Sequence, residues 1–348
     1  MPRAHGPWLR RSSFLVVPAA VFAVFGGVAR VPRSAAAAAS LEVKAVPLDP
    51  TQPGRERVGP LVFRGGLWLS SPDARFGGLS DLRVVADGTR MLSVADCGTG
   101  VSAALMYDAQ GWLAGVSDLR LVDLVGTRGE PLQQEWRDSE SLVETGDSLE
   151  VGFEGMGRVW AYAEDPPFGG PARSLPVPAG LALCGYNGGI ETMTRVDERR
   201  RLLVCETRRS ASLDVSAWVG AGAAWTTRSY PLVFEGGWAG EPFRPTAATL
   251  LPDGDVLVLE RRFPPLGARV TRLSRADVLG TGPLHPREIA RFESPLTLDN
   301  FEGIDARRDE TGRTYVYIVS DDNACAKSGG TKPPSVQRTL LLMFELVG

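Results

Sequence analysis

Residues 300–323, NFEGIDARRDETGRTYVYIVSDDN, read as a β-hairpin with carboxylates at both open ends. Phe301 to Ala306 predicts a short strand. Asp309 to Arg313 is polar, contains Gly312, and predicts the turn. Thr314 to Ser320 is rich in β-branched and aromatic residues and predicts the return strand. A hairpin folds its ends together, so Glu302 comes back near Asp321 and Asp322. Working outward, the same pattern recurs four times upstream. GLSDLRVVADGTRMLSVADCG carries Asp81, an Asp87-Gly88 turn and Asp96. SESLVETGDSLEVGFEG carries Glu140, a turn at Gly146-Asp147 and Glu154. GIETMTRVDERRRLLVCET carries Glu191, a turn near Asp197 and Glu206. PTAATLLPDGDVLVLERRF has Thr246 in the first place, Asp253-Gly254 at the turn and Glu260. The units start at 81, 140, 191, 246 and 302, which are 51 to 59 residues apart. Strand-rich repeats of this size suit the four-stranded antiparallel blades of an all-β propeller. Five blades are counted, and a sixth is possible in the irregular segments.

Two strands stand outside the five units. Leu61 to Ser70 is LVFRGGLWLS, and Gln337 to Leu346 is QRTLLLMFEL. The last unit has three strands of its own, so the N-terminal strand can supply its fourth and close the ring. Outer strands are expected near 103–107, 113–124, 158–163, 217–219, 224–234, 270–273 and 288–292. Helical periodicity is weak throughout, and 40 glycines with 26 prolines fit many turns. A single propeller domain is therefore expected over residues 60–348, after an extended lead-in at 40–59.

Residues 1–39 read as a secretory signal peptide. Arg10-Arg11 are positive, Phe14 to Val28 is apolar, and Ser34 to Ala39 offers A-x-A cleavage sites. The apolar run is short for a membrane span, which disfavours an uncleaved anchor. RRSSFL resembles a twin-arginine signal with one residue too many before Phe14, which leaves the export route open. Removing these residues takes away five arginines and no acids, leaving 33 basic against 41 acidic residues. Such a net negative chain is a poor match to nucleic acid. Periplasmic or secreted placement puts four cysteines where they can pair. Cys97 and Cys325 hold matching places in the first and last units, which ring closure makes neighbours. Cys184 precedes the first strand of unit three and Cys205 ends its second. Of the three possible connectivities, Cys97–Cys325 with Cys184–Cys205 is favoured, and free buried thiols are the plainer alternative.

The motifs FGGLSDLRVVADGTRMLSVADCG, NGGIETMTRVDERRRLLVCET, LPDGDVLVLERRF and NFEGIDARRDETGRTYVYIVSDDN, with the closing QRTLLLMFEL, resemble the family described as esterase-like activity of phytase. The resemblance covers about residues 60–348. It implies kinship with β-propeller phytases, which are calcium-dependent phosphohydrolases with a carboxylate-lined site on one face. Those enzymes have six blades, whereas five units are counted here.

In a propeller the start of the innermost strand and the end of the next share one face. Asp81, Glu140, Glu191 and Glu302 would form an inner ring there, with Asp96, Glu154, Glu206, Glu260 and Asp321 beside it. Crowded carboxylates raise one another's pKa values, and a cation relieves this. All-oxygen donors suit Ca²⁺. Zinc is a poor candidate, because His285 is the one histidine left after the signal peptide. The plainer reading is that each acid braces its own blade. The same histidine count disfavours a Ser-His-Asp triad, since His285 sits in a proline-flanked loop, and leaves metal-activated water as nucleophile. Arg208, Arg261 and Lys327 follow the second acids and are assigned to the substrate's charge because they share that position, although each alone reads more readily as a surface ion-pair partner. Arg158, Arg209, Arg262, Lys332 and Arg338 stand in similar places. Seven tryptophans, from Trp68 to Trp238, read as blade packing. The expectation is an exported, monomeric hydrolase of a small anionic ester. The alternative is a non-catalytic propeller that binds a ligand or partner and uses calcium for structure.

Overall fold

The computed structural model describes residues 37–185, 189–207, 214–235, 240–325 and 331–348. The signal-peptide reading therefore falls almost wholly outside the described residues. The five units each fold into an antiparallel sheet, and the five sheets form one ring, so this is a five-bladed β-propeller. Their innermost strands are Leu79–Val84, Ser139–Glu144, Thr192–Arg195, Arg244–Leu250 and Asn300–Arg308. Each packs beside the next, and the last beside the first. The second strands are Arg90–Ala95, Ser148–Phe153, Arg201–Val204, Val256–Arg262 and Thr314–Asp321. Apolar side chains of adjacent blades interdigitate between the sheets. Leu92, Val94 and Val122 of blade 1, for example, share a buried cluster with Leu149, Val151 and Phe153 of blade 2.

Closure follows the expected route. Leu61–Ser70 pairs antiparallel with Thr339–Leu346, which pairs with Thr314–Asp321. The terminal strand thus completes blade 5 with a segment remote in sequence. The lead-in is more than a lead-in, because Glu42–Ala45 and Arg57–Val58 both pair with Leu61–Ser70 and cover its outer edge. Covering an edge strand hides its unpaired N–H and C=O groups. The fourth strand of blade 2, Gly169–Leu175, has no counterpart among the strands expected from sequence. Its residues are GGPARSL, which lack both the alternation and the β-branched content that mark a strand.

Hydroxyls and carboxylates tie neighbouring blades together near the axis. Asp305 Oδ2 accepts from Val84 N at 2.7 Å, and Asp81 Oδ2 accepts from Leu142 N at 2.8 Å. Ser141 Oγ donates to Ile190 O at 2.9 Å. At the centre, the buried Arg83 guanidinium donates to the carbonyls of Leu82, Met193, Ala248 and Ile304, which belong to blades 1, 3, 4 and 5. It also lies 3.2 Å from Asp81 Oδ2 and 3.9 Å from Asp305 Oδ1.

Candidate functional site

One mouth of the ring is acidic. Among the described residues, a cavity of about 650 Å³ is lined by nine carboxylates and one cation, Arg261. Seven of the nine acids expected from sequence converge there: Asp96, Glu140, Glu154, Glu191, Glu206, Glu302 and Asp321. The hairpin geometry is the cause, since each blade returns the end of its second strand to the level where its first began.

Asp81 and Glu260 do not line the mouth, and this corrects their assignment as metal ligands. Both errors are one residue deep. The first strand pair shifts register at Ser80 in blade 1, at Glu140 in blade 2, at Thr246 in blade 4 and at Glu302 in blade 5. The bulged residue lines the mouth in blades 1, 2 and 5, so Ser80 rather than Asp81 holds the place of Glu140 and Glu302, while Thr246 of blade 4 is buried on the carbonyls of Leu259 and Phe301. Asp81 is fully buried one step along, on Arg83 and the Leu142 amide. Opposite the bulge stand Ala95, Phe153, Glu260 and Ser320, each followed by the residue that faces the mouth. In blade 4 that residue is Arg261. Glu260 faces away and is buried against Arg269 Nε at 2.9 Å, Tyr230 Oη at 2.7 Å and Thr271 Oγ1 at 2.9 Å. A one-residue step along a strand turns a side chain to the other face.

The ring of acids is lopsided as a result, with hydroxyls at the first place in blades 1 and 4. Arg261 Nε lies 3.0 Å from Glu302 Oε1, within ion-pair range but out of hydrogen-bond alignment. Its Nη2 lies 3.5 Å from Glu206 Oε1. Burial opposes the Arg261 charge, but Glu302 and Glu206 hold it protonated. The acids are pushed the other way. Burial, then the charge of Glu191, raises the Glu140 carboxyl well above its usual range. Burial, then Glu206 and Glu154, does the same to Glu191. Burial pushes Glu302 up to about 7 even with Arg261 beside it. Asp321 is raised by burial and by Asp96.

Sequence reading missed Asp138 and Asp299, which also line the mouth. Each stands just upstream of an inner acid, Glu140 or Glu302, and that spacing was the available signal. Carboxylate oxygens of Asp138, Glu140 and Glu154 lie within 4.8 Å of one another, close enough to share one ion. Asp299 is held by Arg338 Nε at 3.1 Å. Asn300 Nδ2 donates to Asp321 Oδ2 at 3.2 Å. The assigned cations Arg208 and Lys327, with Arg209, lie outside the described residues. Arg158 stacks instead among Trp136, Phe153 and Trp160, and Arg262 pairs with Glu235 and Glu293. His285 is exposed beside Asp277, and it is absent from the residues lining the mouth. No tryptophan among the described residues lines the mouth either.

Cys184 and Cys205 form the expected disulfide. Cys97 and Cys325 meet across the seam between blades 1 and 5 but are free thiols, which corrects the expected bond. Cys325 Sγ instead donates to Asp96 Oδ1 at 2.6 Å. The Cys325 thiol is pushed up by its hydrogen bond to Cys97, then by burial and Asp96.

A closed five-blade ring with carboxylates gathered at one mouth defines the class as an acidic-mouthed β-propeller. The chain belongs to the phytase-like family, described as esterase-like activity of phytase, whose model matches residues 74–324. Comparison with curated proteins gives no significant match. Among solved structures, the chain is similar to a nidogen/laminin complex at 8% identity and TM-score 0.41, covering 80% of this chain and 88% of that one. It is similar to a Myxococcus xanthus glutaminyl cyclase at 11% identity and TM-score 0.37, covering 79% and 94%. The RRP9 WD40 repeats match at 11% identity and TM-score 0.37, covering 89% and 100%. No helix among the described residues is long and apolar enough to cross a membrane.

Proposed function

We propose that the acidic mouth holds Ca²⁺ and that the protein is an exported, calcium-dependent hydrolase of a small anionic ester. A phosphate ester is the first choice and another ester the second. The observation that carries this is the convergence, among the described residues, of nine carboxylates in one mouth with a single lining arginine. The donor set fits the ion. It is all oxygen and strongly anionic, as a hard cation of high coordination number requires. Asp138, Glu140 and Glu154 are the tightest triad, and Glu191, Glu302 and Asp321 lie within the same cavity. Bound there, Ca²⁺ supplies Lewis-acid polarisation of an ester oxygen and activation of water. Arg261 sits between Glu206 and Glu302 and offers its guanidinium to a substrate oxygen and to charge that develops in transfer. Arg208 and Lys327 are proposed to join it there. The substrate is taken to be a small anion, the working unit a monomer, and nucleic acid is no partner. A panel of phosphate and carboxylate esters, assayed with chelator and again with Ca²⁺ restored, tests the proposal. Turnover lost on chelation and regained with Ca²⁺ supports it.

One observation favours a second reading, a non-catalytic binding propeller with structural calcium. Arg261 is already engaged by Glu206 and Glu302, which leaves no unpaired cation among the described residues lining the mouth. Calcium binding with no turnover across the panel would select this reading.

A further inference from the structure

The ring has a second mouth, on the face where the hairpin turns lie. It opens into a larger cavity of about 1120 Å³ that shares no lining residue with the acidic one. Among the described residues, seven arginines and five carboxylates line it. Three of the five acids are already engaged, two of them by Arg200 and Arg83 of the same lining, which leaves five arginines against Glu144 and Glu198. Asp197 Oδ2 pairs with Arg200 Nη2 at 2.7 Å. Asp253 Oδ2 is taken by Arg272 Nη2 at 2.8 Å, from outside the cavity. Asp305 is buried on Arg83, the Val84 amide and Thr249 Oγ1. Burial, then Glu164, raises the Glu144 carboxyl and favours its neutral form. Glu198 is the remaining rim acid.

Several arginines, by contrast, keep their donors. Arg199, Arg275 and Arg308 are exposed and have no carboxylate partner among the described residues. Arg195 spends one N–H on Glu144 O at 3.3 Å. Arg307 lies over the rings of Tyr107, Tyr315 and Tyr317, which fix its plane while Nε donates to Tyr317 Oη at 3.1 Å. These side chains come from the first hairpins of blades 3 and 5 and from the helix after the third strand of blade 4, so they approach one space from different sides.

We propose that this second mouth binds a small molecule carrying two or more phosphate or carboxylate groups. Guanidinium forks match the paired oxygens of either group. The cavity is far larger than one ion needs and of the size that holds whole small ligands. The site stands apart from the acidic mouth and needs no calcium.

Calorimetry on the calcium-free chain with chelator present tests it, using pyrophosphate and citrate as probes. Saturable binding of at least one is expected, and which one binds tells phosphate from carboxylate preference. In Arg199→Gln/Arg308→Gln, both exposed positions, affinity should fall by more than about tenfold, as expected for the loss of two charge-assisted contacts. Arg275→Gln should weaken it separately. Arg261→Gln, at the other mouth, should leave it unchanged. Failure of both probes to bind, equal binding by the double variant, or loss in Arg261→Gln would each overturn the proposal.

Discussion

Glu191 stands in the field of Glu206, Glu154 and Glu302, and its neighbours share the strain of like charge. Replacing Glu191 and Glu302 with glutamine keeps their shapes and removes two charges. Calcium affinity measured by calorimetry should fall by more than about tenfold, since ligand charge tunes such sites. Unchanged affinity would remove the inner acids from the site. Glu260→Leu is the contrasting variant. It should leave calcium binding intact and cost about 3–5 kcal/mol in denaturant unfolding, because Arg269 loses its buried partner. The raised carboxyls also set a pH dependence. Glu302 moves from 4.5 in the unfolded chain to about 7 in the folded one. The folded state therefore binds more protons in that window, and calcium-free stability falls as pH rises through it. Melting temperature without calcium should be lower at about pH 8 than at about pH 5, and added Ca²⁺ should raise it more at the higher pH. Sequence shows which residues are acidic and roughly where each strand starts. It cannot show a bulge, because an extra residue leaves composition and alternation nearly unchanged. That is why the sequence pattern puts Asp81 in Ser80's place and Glu260 in Arg261's.

The blade is legible in sequence where its strands are apolar. Thr314–Asp321 and Arg158–Ala163 carry that signal, and both were anticipated closely. Gly169–Leu175 was not, because an outermost strand faces solvent and needs no apolar face. The seam between blades 1 and 5 was foreseen as a cysteine contact, which the repeat alignment alone makes plain. What the alignment could not supply was the bonding state, since Asp96 competes for the Cys325 proton. Peptide mapping without reductant should recover Cys184 linked to Cys205 and both Cys97 and Cys325 as free thiols, and a fragment linking Cys97 to Cys325 would overturn this assignment.

At the scale of the molecule, circular closure is what lets five marginal sheets stand together. Deleting residues 60–70 removes the outer strand of blade 5, bares the edge of Thr339–Leu346 and cuts the lead-in loose. The single cooperative unfolding transition should be lost or its midpoint sharply lowered. An unchanged melting temperature would show that the ring does not depend on this strand. The hole of the ring is a different matter. Arg83 spans it, bonded to carbonyls of four blades. The propeller is thus two bowls set back to back rather than a pipe. Anything that binds in the acidic bowl must leave by the rim it entered. On the proposed hydrolase reading, product and fresh substrate share that one door, and inhibition by product should be competitive in its kinetics. A tether or support fixed to the arginine-rich side would leave that door open.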